Sequence, residues 1–202
     1  MPHIRLLPAF ALLLVGFVLS ACVSSNTALL AGTQAAAPLP DAFVLANVEG
    51  KPDAGRFDRK GDSYIAVENG VKTTYRLVPL DGPPGTTGPF YIGVETNERG
   101  TGANYGLAEI APAESTPREI VLHSFDKNEM AAELGNSIKT DDSGFEVSTD
   151  DQVLALFRRV AADALAGRTR MGHFRIYDLS IPDQRAEGER LLEESRKDSQ
   201  AQ

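Results

Sequence analysis

Sixteen residues, SYIAVENGVKTTYRLV from Ser63 to Val78, constrain the fold more than any other stretch. Asn69-Gly70 sits between two β-rich runs, and both residues tolerate the positive φ that a tight hairpin turn requires. A two-residue turn places Tyr64 opposite Tyr75 and Ala66 opposite Thr73. Tyr64, Tyr75 and Leu77 then share one face, while Ile65, Val67 and Val78 share the other. Both faces carry apolar residues, which places the hairpin centrally in its sheet.

The same kind of segment recurs along the chain. AFVLANV (42–48), GRFDRKGD, FYIGVET (90–96), YGLAEI (105–110), EIVLHSF (119–125) and HFRIYDLSI (173–181) read as strands. Between them lie breakers such as DGPPGTTGP (81–89), NERGTGANYG and PAESTP. Short strands at this spacing predict antiparallel pairing rather than alternating strand–helix units. Two helices are predicted. DKNEMAAELGN begins with Asp126 and Glu129 as a capping box and ends at Gly135. Asp150 to Ala166 is the clearer one. Thr149 and Gln152 form its capping box, Asp150 and Asp151 complement its positive start, and Gly167 ends it. Its apolar residues Val153, Leu156, Phe157, Val160 and Ala164 fall on one stripe, to be buried against the sheet. The expected fold class is α+β, a mainly antiparallel β-sheet with one or two helices packed on one face.

The start of the chain has a different character. MPHIR carries Arg5, and LLPAFALLLVGFVL (6–19) follows without a charge. Its 14 residues are too few to cross a bilayer, which takes about 20, and they match the apolar region of a signal peptide over 1–21. Leu19-Ser20-Ala21-Cys22 closely resembles the lipobox of bacterial lipoproteins, and Cys22 is the only cysteine in the chain. The resemblance implies cleavage before Cys22, a diacylglycerol on its thiol and an acyl chain on its new amine. Up to three chains would hold the protein in the lipid bilayer effectively permanently. Family members retained in the inner membrane carry aspartate after the cysteine. Val23 stands there instead, so the resemblance implies the outer membrane, facing the periplasm. Residues 22–39 are expected to be the lipidated cysteine and a flexible tether, about 20 to 25 Å in mean span. A docking element around Leu29-Leu30 is the alternative. Residues 40–181 are expected to form one α+β domain and 182–202 a polar tail, helical or disordered.

Composition sets limits on partners. Loss of Arg5 with the signal takes the formal charge from −8 to −9, whereas a nucleic-acid partner calls for a basic footprint. With no second cysteine, no disulfide is expected, and a domain of this size can bury enough core without one.

No segment carries a recognisable reaction. The glycines of GTGANYG (100–106) lead into a strand rather than the helix start of a phosphate site. Asp141, Asp142, Glu146, Asp150 and Asp151 lack the alternating ligands of a calcium loop. His123 and His173 lie on separate strands, too few for zinc, and Ser124 points away from its neighbour His123. Arg158, Arg159, Arg168, Arg170 and Arg175 concentrate positive charge, read as a helix surface and a helix C-terminus. A contact to phosphate- or carboxylate-bearing envelope polymers is the alternative. No catalytic residue, metal ligand or cofactor is expected. The leading expectation is a non-enzymatic interaction or assembly lipoprotein with an envelope protein partner. A small-ligand or cell-wall-polymer binder comes second and a hydrolase third.

Overall fold

The computed structural model describes residues 22–49, 53–68, 70–81, 89–98, 102–134, 138–141 and 144–200. The expected signal peptide, Asn69 of the turn and Gly135 lie outside the described residues. In chain order the elements are β1 (Cys22–Ser25), β2 (Ala42–Asn47), β3 (Ala54–Lys60), β4 (Ser63–Glu68) and β5 (Val71–Pro79). They continue with β6 (Phe90–Asn97), β7 (Ala103–Ile110), β8 (Glu119–Ser124), α1 (Lys127–Leu134), β9 (Lys139–Asp141) and β10 (Gly144–Glu146). The chain closes with α2 (Asp150–Leu165), β11 (Arg170–Asp178) and α3 (Pro182–Gln200).

Strands β2 to β8 pair each with the next, all antiparallel, and β11 returns between β8 and β2 to complete a ring of eight. This overturns the expected α+β sheet with helices on one face. The sheet is a closed barrel, and its two larger helices lie on different flanks. Strands with two apolar faces need cover on both sides. Closure supplies the inner cover and removes the unpaired edges of an open sheet. Outside, α2 packs its stripe of Val153, Leu156, Phe157, Val160 and Ala161 over Val78, Ile92, Val94, Tyr105 and Leu107. The segment expected as a tail is α3. Its Leu192 and Leu191 lie on Val44, Ala46 and Ala54 on the opposite flank. Gly188 permits that approach, since a Cβ there would meet Val44 and Tyr177 atoms at 3.2 Å.

Local expectations hold well. Register pairs Tyr64 with Tyr75 and Ala66 with Thr73, and Gly70 takes φ +75°. The Thr149 hydroxyl accepts from Gln152 N–H at 3.2 Å, and the Gln152 side chain accepts from Ser148 N–H at 2.7 Å. Asp126 caps α1 by accepting from the N–H groups of Asn128 and Glu129.

The stretch expected as a flexible tether is packed instead. β1 pairs antiparallel with β7 and parallel with β10, which β9 then extends. Val23 and Leu30 are each 1% exposed. Tyr105 Oη accepts from Leu29 N–H at 2.9 Å, Asp150 accepts from Leu30 N–H at 2.9 Å, and Arg76 donates to the carbonyls of Leu30 and Thr33. The strap runs on to Leu39, whose N–H donates to Tyr64 Oη and whose carbonyl accepts from it. Leu39 thereby plugs one end of the barrel, beside Phe43, Leu77, Ile110, Ile120 and Ile176.

Candidate functional site

Alternation along eight strands decides which side chains enter the barrel. Near the plugged end, the base, they are large: Phe43, Tyr64 and Tyr75 are buried and Phe57 and Tyr91 half-buried. Phe43 stacks on Phe57 at 5.1 Å and meets Tyr64 edge-on at 5.6 Å, while Phe57 meets Tyr75 edge-on at 5.5 Å. Toward the other end, the mouth, the inward positions become small or polar. Cross-strand register sets Gly93 against Gly106, Ala66 against Thr73, and Leu122 against Gly172. The rings of Phe57 and Phe174 fold back over Gly55 and Gly172, with nearest distances to a built Cβ of 3.4 and 3.3 Å.

Ala66, Asn104, Gly106, Leu122 and Gly172 face inward and are half-buried, while Phe43, Tyr64, Leu77 and Ile176 toward the base are buried and Phe57 and Tyr91 there are half-buried. Inward positions near the mouth are thus partly solvent-accessible. The edge of β7 is shared, with residues 107–110 bound to β8 and residues 103–105 bound to β1. β7 and β8 thus part beside Asn104 and Gly106, where β1 takes over the edge of β7.

Glu95 stands on the wall of this cup. Its register partners are Tyr75 on one side and Asn104 on the other. Only 8% exposed, it has one carboxylate oxygen, Oε2, that is buried without a hydrogen-bond partner. Burial pushes its carboxyl up to about 7, and a hydrogen bond from Asn104 offsets part of that. A buried carboxyl poised near neutrality, with one oxygen that no protein group satisfies, makes Glu95 the candidate binding residue of the barrel interior. Thr73, 7% exposed, adds a hydroxyl nearby.

The residues singled out from sequence do not converge on this cup. Cys22 is the first residue of β1, paired with Gly144, on the outer side of β7. His123 is 6% exposed on the barrel's outer surface. Its Nδ1 lies 2.9 Å from Thr169 Oγ1 and its Nε2 3.0 Å from Glu109 Oε2. Both nitrogens are thus engaged, and the imidazole ties β7 and β8 to the loop before β11. Among the described residues, no group of three or more His, Cys, Asp or Glu could hold a metal ion.

The acidic residues hold the strap. Glu146 accepts from Asn26 at 2.6 Å and pairs with Lys139, and Asp150 holds Leu30. Asp142 lies outside the described residues. The basic concentration divides. Arg159 and Arg168 both pair with Asp163, while Arg175 faces Glu119 at 3.5 Å.

Outside the barrel, a hollow of about 610 Å³ lies between β3 and α3, lined by Asp41, Arg56, Asp178, Arg185 and Glu189 among others. Its cations are committed: Arg56 to Asp58 at 2.9 Å and Arg185 to the Leu179 carbonyl at 2.6 Å.

Glu95, Asn104 and Thr73 were not foreseen. The available signal was a carboxylate in FYIGVET at the same parity as Tyr91 and Gly93, a charge aimed at an inner face. No family model matches this chain, and no curated protein or solved structure is significantly similar to it.

Proposed function

We propose that this is a lipid-anchored protein of the bacterial envelope, non-enzymatic, whose barrel takes up a small ligand through its open mouth. The buried Oε2 of Glu95, without a hydrogen-bond partner on the inner face of the barrel, is the observation that carries the binding reading. A buried acceptor left unmade costs about 1–3 kcal/mol, and a ligand donor removes that cost. Eight-stranded barrels have interiors of the size that holds one small ligand. The lipobox-like Leu19-Ser20-Ala21-Cys22 supports the anchor and the outer membrane as its place.

Ligand uptake ranks above the assembly module for a specific reason. Among the described residues, the exposed large apolar side chains are Val48, Val67, Leu165 and Ile181. They fall on separate elements, whereas a docking face calls for a contiguous patch.

The test compares full-length protein purified from membranes with its Gly106→Leu variant, whose side chain would enter the cup. Native mass spectrometry should find a small molecule on the parent protein and none on the variant. A parent that carries nothing, or an identical cargo on both, would remove the binding reading.

A further inference from the structure

We propose that the cup selects a small organic cation, an ammonium group carried on a short apolar body. This rests on the ligand-binding reading above and adds the chemical class.

The argument starts from what surrounds Glu95. Among the described residues no cation pairs with it. Its environment is set by burial and by the amide of Asn104. An anionic ligand would bring a second negative charge against a buried carboxyl, where repulsion is strong. A neutral hydroxyl would satisfy Oε2 but supply no countercharge. An ammonium supplies both, as a charge-assisted hydrogen bond about twice as strong as a neutral one.

The rest of the lining fits the same molecule. Tyr75 is the direct cross-strand neighbour of Glu95, and Phe57 lies edge-on to it at 5.5 Å. Aromatic surface beside a carboxylate favours organic cations. Ala66 and Leu122 supply apolar contact for the ligand body. Gly93 and Gly106 are paired with each other, two positions along from Glu95 and Asn104, so neither strand places a side chain at that neighbouring inward position.

The decisive experiment titrates the full-length protein, held in nanodiscs at pH 8, with three probes of one shape: butylammonium, 1-butanol and butyrate. Methyl resonances of Ala66 and Leu122 report on the cup, and those of Val153 and Leu156 check the fold. Butylammonium should bind at least about tenfold more tightly than butanol, and butyrate should not bind. Glu95→Gln should bring butylammonium down to the level of butanol. Equal affinity of butylammonium and butanol for the parent protein would overturn the cation class and leave ligand binding standing. Tighter binding of butyrate would do the same. Failure of all three probes to move Ala66 or Leu122 would overturn both readings together. The ranking on the parent protein decides the matter even if the variant does not fold.

Discussion

At the scale of single residues, Glu95 is a buried carboxyl with one oxygen that no protein group satisfies. Its folded carboxyl titrates at about 7 against an ordinary 4.5, so between these values the folded protein holds a proton that the unfolded chain has released. Stability therefore falls as pH rises through that window, by roughly 3 kcal/mol in all, and is not lost further above it. Glu95→Gln should abolish this component. Urea unfolding of both proteins at pH 4.5 and pH 8 should show the variant gaining on the parent by that order. Parallel pH profiles would mean that the carboxyl is solvated in the folded state. The opposite is true of Tyr64 and Tyr105, whose hydroxyls are satisfied by the strap that crosses them.

At the scale of elements, the strap depends on close backbone contact. A Cβ on Gly102 would collide with the carbonyl oxygen of Ser25, and no positive φ requires glycine there. Gly102→Ala should therefore act through β1 alone. Overpacking of this kind costs about 1–3 kcal/mol, and limited proteolysis should become faster within residues 22–30. Unchanged stability and protease resistance would mean that the strap is not held against β7.

What could be read from the sequence divides along the same line. The β4–β5 register and the ends of α2 were legible because turn glycine, caps and apolar period act within a few residues. Barrel closure was not legible, because β11 pairs with β2 from about 130 residues away and nothing local encodes that contact. The strap was misread for a related reason. VSSNTALLAG is small and polar enough for a linker, and only Tyr105, Arg76 and Asp150, all distant in sequence, give its backbone partners. Glu95 went unnoticed because a strand carboxylate is ordinary until closure puts it inside.

At the scale of the whole molecule, the proposed anchor point, Cys22, opens a strand that is part of the extended barrel wall. Cys22→Ala should release the protein from the membrane fraction of cells while leaving the barrel folded. Continued sedimentation with membranes would remove the lipid anchor from the proposal. The two larger helices, α2 and α3, then have a plain role: they sheathe opposite flanks of the barrel.

The pairing of β1 also decides how such a protein bears load. β1 runs antiparallel to β7 and parallel to β10, bonded along both edges. A pull applied at residue 22 along the strand meets these hydrogen bonds side-on and loads them together, so the strap resists shearing instead of unzipping bond by bond. A lipid on Cys22, as proposed, would leave no slack before the barrel wall, so drag on the domain would pass directly to β7, the strand that carries Asn104 beside Glu95.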